Sequence, residues 1–141
     1  MSRAALAATV IALVVVATVL LNVSLYRRMK ARLAEMPAWT DERFDAALAE
    51  RGVAPEIAPV LRDVLRPHYG AGVAPHPDDN FAKFLQLDED EVLDMVEEAF
   101  VALRLPLPDR GAMVEVPVLK TVADMAQYLD EEVAQRRGTA R

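Results

Sequence analysis

The chain has no cysteine, which excludes disulfides, thiolate nucleophiles and thiolate metal sites. That fits a reducing compartment. Serine is almost absent as well: only Ser2 and Ser24 occur in 141 residues. No Ser-His-Asp set can be drawn, and there is no phosphate-cradling glycine loop. The two histidines, His68 and His76, lie in a Pro/Gly-rich loop at a spacing that matches no standard ligand pattern. The acidic run Asp88-Glu89-Asp90-Glu91 lacks the alternation and the glycine of a calcium loop. No segment sustains a period-two alternation, so strands are not expected and the chain reads as all-α. Together these absences predict a protein that is not an enzyme and holds no metal or cofactor.

What is present begins with charge-free sequence. From Ala4 to Tyr26 there is no charge, and Ala4 to Leu21 is nearly all Ala, Val, Leu and Ile. As a helix this stretch spans about 35 Å at about 1.5 Å per residue. The hydrocarbon core of a bilayer is about 30 Å thick, so one such helix crosses it. A cleaved signal peptide is the rival reading, with an apolar core of about 7 to 15 residues and a small-x-small cleavage site. This run is longer and leads into Tyr26-Arg27-Arg28-Met29-Lys30, so a retained anchor is expected. Arg27, Arg28, Lys30 and Arg32 follow the span, while Arg3 and the amino terminus precede it. The positive-inside tendency places the remaining chain in the cytoplasm, as a single-pass protein of the cell (inner) membrane. The same four basic residues can rest on anionic lipid headgroups, or serve only as a stop-transfer flank.

Beyond the anchor the balance of charge inverts. Residues 38 to 135 hold 21 acids and 8 bases, a net of −13. Phosphates would repel such a surface, which argues against nucleic acid and favours a protein partner with a basic face.

The pattern divides the chain into an anchor with its basic juxtamembrane segment (1–36), a linker helix or addition to the core (37–54), a helical domain (55–135) and a basic, frayed tail (136–141). Met29, Leu33 and Met36 recur at helical spacing, so the anchor helix can continue to Pro37. Trp39 reads as an interfacial aromatic or a packing residue. Thr40 is a candidate N-cap, followed by Asp41, Glu42 and a face of Phe44, Ala47 and Leu48, with Gly52 as the stop. Pro55 or Pro59 opens the next helix, whose stripe is Ile57, Leu61, Val64 and Leu65 and which Pro67 ends. The clearest helix starts at Asp88 to Glu91 and runs to about Arg104, with Val92, Val96, Phe100 and Leu103 on one face. Asp94, Glu97 and Glu98 cover the other. Pro106 and Pro108 terminate it. Met113 to Leu119 can be a helical turn or an extended piece. Thr121 with Asp124 resembles a capping box, after which Val122, Met125, Leu129 and Val133 line a last helix ending near Gln135.

Three pieces, in order, resemble acyl carrier proteins over about residues 55 to 133. They are Pro77-Asp78-Asp79-Asn80-Phe81, then Val92 to Leu103 with its Leu105-Pro106-Leu107-Pro108-Asp109 exit, then Lys120-Thr121-Val122-Ala123-Asp124-Met125-Ala126-Gln127-Tyr128-Leu129. The resemblance implies a small acyl-carrier-like helical bundle behind the anchor. The family carries a phosphopantetheine arm on a serine at the start of its second helix. Here Glu89 or Asp88 stands in that place, according to the direction of counting, and neither has a hydroxyl. The chain is therefore expected to carry no arm. In the family the acidic second helix is recognised by basic grooves on partner enzymes, so the resemblance makes Asp88, Glu89, Glu91, Asp94, Glu97 and Glu98 candidate contacts. The alternative for these acids is a solvated face that only confers solubility. Val92, Val96, Phe100, Val122, Met125 and Leu129 would line an acyl cavity or, in the favoured reading, a closed core. The expectation is an interaction or accessory subunit of a membrane-associated assembly. The runner-up is a lipid- or acyl-chain-binding protein at the cytoplasmic membrane face.

Overall fold

The apolar run and the residues after it form one unbroken helix, α1 (Arg3–Glu35), in the computed structural model, which describes residues 2–107 and 116–139. Ser2 caps it by accepting the Ala5 N–H at 3.2 Å. The hydroxyls of Thr9 and Thr18 donate back to the carbonyls of Ala5 and Val14, both at 2.9 Å. No bare hydroxyl is thereby left on a surface suited to lipid. The first twenty-odd residues are exposed along their whole length, and the helix is long and apolar enough to cross a membrane. Its last two turns differ, because Met29 is buried against the rest of the chain.

Four further α-helices follow among the described residues, and the fold is all-α. They are α2 (Asp41–Glu50), α3 (Ile57–Leu65), α4 (Glu89–Ala102) and α5 (Val122–Thr139), with a 3-10 turn at Arg66–His68. Helix α3 sits at the centre and touches α2, α4 and α5. Phe44, Leu48, Ile57, Leu61, Leu65, Val96, Val122, Met125 and Leu129 are each no more than 1% exposed and form the core. Helix α2 therefore belongs to the core, and the reading of 37–54 as a linker gives way to its other branch. The cause is the Phe44 and Leu48 pair, one turn apart on a single buried face.

Local chemistry sets the helix ends. Thr40 caps α2 through the Arg43 N–H at 3.3 Å. Gly52, at φ +81°, closes α2 in a Schellman turn in which the Val53 N–H reaches the Leu48 carbonyl at 3.1 Å. Helix α3 starts between the two prolines proposed for its opening. Pro59 falls in its first turn, where an N–H would lack a partner anyway. Helix α4 stops at Ala102, short of Arg104, because Arg104 takes a left-handed φ of +57° and the Leu105 N–H folds back to the Phe100 carbonyl at 2.9 Å. Thr121 and Asp124 do form the expected box: the Asp124 N–H meets Thr121 Oγ1 at 3.2 Å, and the Thr121 N–H meets Asp124 Oδ2 at 3.1 Å. Helix α5 runs four residues past Gln135, so Arg136 to Thr139 are helical rather than frayed. Two arginines in its last turn favour the negative end of the helix dipole, and Arg137 pairs with Glu56 beside the start of α3. The Met113–Glu115 part of the undecided segment and the Pro108-Asp109 exit lie outside the described residues. Val116 to Lys120 is neither helix nor strand.

Candidate functional site

The six acids proposed as contacts fall into two groups on α4. Asp88 is the N-cap, and its carboxylate accepts the Glu91 N–H at 2.8 Å while Glu91 accepts the Asp88 N–H at 2.9 Å. These two side chains are engaged in a capping box, which stabilises the helix start by about 1 kcal/mol. Glu89, Asp94, Glu97 and Glu98 make no ion pair among the described residues. Asp90, Asp94 and Glu98 are exposed, Glu97 is half-buried, and Val101 continues the same strip at 63% exposure. The result is an outward acidic strip ending in one apolar side chain. A phosphopantetheine arm is joined through a hydroxyl oxygen. The start of α4 presents a capping carboxylate and the Glu89 carboxylate, so its side chains do not fit such a group.

A cleft of about 570 Å³ opens beside this helix start. Phe81, Leu87, Val92, Leu93 and Val116 to Leu119 line it, with Lys83, Lys120 and Glu89 at polar positions. Of the six residues considered for an acyl cavity only Val92 reaches it. Val96, Phe100, Val122, Met125 and Leu129 are packed in the closed core.

The most built cluster is elsewhere, around Asp79, which is 4% exposed. Both Arg32 Nη atoms bond its carboxylate, Nη1 at 3.2 Å to Oδ2 and Nη2 to Oδ1. The Tyr69 hydroxyl donates to Oδ2, as does the His76 N–H at 3.0 Å. The Asp79 backbone acts too: its carbonyl accepts the Val122 N–H at 3.0 Å, and Pro77 accepts the Ala123 N–H at 2.8 Å. Two orphan donors at the start of α5 are thus satisfied by the loop that holds α1. An isolated antiparallel bridge between Asn80 and Thr121 completes this junction. Burial first, and then the negative Asp79, push the Tyr69 hydroxyl far above the usual tyrosine range. Arg32 also lies over the Phe84 ring, 4.4 Å from its centroid. One turn earlier, Arg28 Nη1 donates to the carbonyls of Lys83 and Phe84.

These contacts change the reading of the basic cluster. Arg28 and Arg32 point into the domain, where Arg32 pairs with Asp79 and lies over Phe84 while Arg28 Nη1 bonds the carbonyls of Lys83 and Phe84. Arg27 and Lys30 are exposed and make no ion pair among the described residues. The packed face of α1 is Leu25, Arg28, Met29 and Arg32, at helical spacing, whereas Leu33 of the expected stripe is 42% exposed. Trp39 is a packing residue: its Nε1 donates to the Pro75 carbonyl at 2.8 Å and its ring lies 4.4 Å from that of His76. His76 Nδ1 accepts the Asp78 N–H at 3.1 Å. Among the described residues no group of three His, Asp or Glu is arranged to hold a metal ion.

No protein-family model, curated protein or solved structure matches the chain. The acyl-carrier resemblance therefore stands on the order of its sequence motifs.

Proposed function

We propose that this protein is a membrane-anchored, non-carrying, acyl-carrier-like interaction module, an accessory subunit that offers the outer strip of α4 to a basic surface on a protein partner. One observation carries the reading. A helix fit to cross a bilayer is packed onto a small all-α domain whose most acidic helix keeps Asp90, Asp94 and Glu98 solvent-facing and without salt bridges among the described residues. Core helices of a solitary protein gain little from such a strip, since exposed acids contribute little to stability. Opposite charge on a partner gives orientation and a fast encounter. In this reading the single pass lies in the cell membrane, and the domain is on the cytoplasmic side by the excess of basic residues after the span. The domain has no catalytic role.

Capture from native membranes tests it. The wild-type chain should retain a stoichiometric partner. Reversing Asp94, Glu97 and Glu98 to lysine should reduce that capture steeply at low salt while leaving the helical circular-dichroism signal unchanged. Equal capture by the reversed chain sinks the assignment of the surface.

The cleft beside Leu87 and Val92 favours a second reading, a site for an acyl chain or lipid at the membrane face. Its volume and its apolar walls with a few polar positions suit such a ligand. Native mass spectrometry that finds a lipid bound in one-to-one ratio, lost on Leu93→Glu, would promote it above the first.

A further inference from the structure

The packing of α1 on the domain fixes which loop meets the bilayer. The charge-free residues Ala4 to Val23 span about 30 Å as a helix, the thickness of the hydrocarbon core. Ser24 then lies where hydrocarbon gives way to headgroups, and Tyr26, 66% exposed, sits at the level where interfacial aromatics collect. At that height the domain touches α1. Gln86 Nε2 is 3.5 Å from Ser24 Oγ, and the carbonyls of Lys83 and Phe84 are bonded by Arg28. The loop is tightly made. The Lys83 N–H meets Asn80 Oδ1 at 2.9 Å, the Phe84 N–H meets the Asn80 carbonyl at 2.9 Å, and the Leu87 N–H meets the Phe81 carbonyl at 2.8 Å. It therefore holds its shape, and leaving α1 would cost it the Arg28 and Ser24 contacts.

We propose that the loop Ala82–Gln86 is a membrane-contact site, seated in the headgroup layer, where Lys83 binds the phosphate of anionic phospholipid on the domain side of α1 and Arg27 with Lys30 does so on the free side. Lys83 and Ala82 are exposed, as are Arg27 and Lys30. Arg27 and Lys30 lie on the side of the helix turned away from Arg28 and Arg32, so Arg27, Lys30 and Lys83 ring the helix rather than form one patch. A bilayer surrounds the helix and matches a ring; a single protein partner would match a patch. The inference rests on the anchor reading but goes beyond it, since an anchor alone would leave this loop in water.

The absence of cysteine makes the test direct. The full chain is reconstituted in vesicles of phosphatidylcholine, with and without phosphatidylglycerol, carrying one fluorophore through Ala82→Cys, Val14→Cys or Glu35→Cys. Quenching by a headgroup-attached nitroxide lipid reports depth. Position 35 is the control, eleven residues and about 16 Å along the helix from Ser24. Strong quenching at 82 and weak quenching at 35 is the expected result. Phosphatidylglycerol should deepen the label at 82, and Lys83→Ala should abolish that increment. Quenching at 82 no stronger than at 35, with position 14 shielded from aqueous iodide, overturns the loop assignment alone. Iodide access at position 14 overturns the anchor reading itself. An unchanged depth at 82 on adding phosphatidylglycerol refutes the role given to Lys83.

Discussion

Replacing Arg32 by methionine should loosen the whole domain, because it strands a carboxylate. Asp79 is 4% exposed, and its only cationic partner among the described residues is Arg32. Removing one member of a buried pair leaves an uncompensated charge and costs about 3 to 5 kcal/mol. The Tyr69 hydroxyl and the His76 N–H stay in place, which sets the expectation at the lower end, about 3 kcal/mol. A domain of this size loses roughly 4 to 8 °C of Tm per kcal/mol, so Arg32→Met should lower Tm by about 12 to 24 °C. Asp79→Asn keeps the shape and leaves an oxygen to accept from Tyr69 or His76. The double variant should then cost less than the two singles together, with a coupling of about 2 kcal/mol. Urea unfolding in detergent, followed by the fluorescence of the single tryptophan, reads this directly. Trp39 is bonded to Pro75 and packed on His76, within the same junction. If the two substitutions add to within about 0.5 kcal/mol, the pair does not couple and the junction has been misread.

Three further outcomes follow from particular residues. Tyr69 has a folded pKa far above its unfolded value near 10, so its contribution is complete below pH 10 and is lost as pH rises beyond it; stability should fall with alkalinity in that range, and Tyr69→Phe should flatten the fall in a pH series of unfolding curves. Arg104 holds a left-handed φ of +57° at a helix end that glycine favours, so Arg104→Gly should raise stability by about 1 kcal/mol in the same unfolding assay. A Cβ at Gly70 would meet Met29 Cβ at 3.3 Å, so Gly70→Leu should push α1 off the domain. Hydrogen exchange would then rise at residues 25 to 35 and at 82 to 87, while α5 stays protected.

Much of the helical plan was legible because it is local. Thr40, Gly52, Asp88 and the Thr121/Asp124 pair are short-range signals, and each acts within four residues of its place in the chain. The ends that departed from expectation were decided otherwise. Arg104 stops α4 through a backbone conformation that arginine seldom adopts, and no residue pattern announces it. The role of α2 turned on whether Phe44 and Leu48 find a facing surface, which is a tertiary matter. The acidic face of α4 was readable from spacing only in part: Asp94 and Glu98 are exposed, but Glu97 is half-buried, Asp88 and Glu91 cap the helix, and Asp90 was not singled out. The Asp79 cluster was not, since Arg32 and Asp79 are 47 residues apart and the basic run after a span has a ready explanation as a topology signal. A faint trace existed: Leu25, Arg28, Met29 and Arg32 share one helical face, and an apolar residue every turn beyond the span marks a surface that packs.

A helix that passes from hydrocarbon into a protein core without a hinge behaves as a mast. The domain carried on it cannot sweep a hemisphere as it would on a flexible tether, whose reach grows with the square root of its length. On the proposed membrane anchor it would drift sideways in the sheet of lipid and spin about the normal, with tilt alone to change its height. Under the proposed docking role, a counterpart would have to present its groove within a narrow band of altitudes and travel in, or be held close to, the same two-dimensional layer.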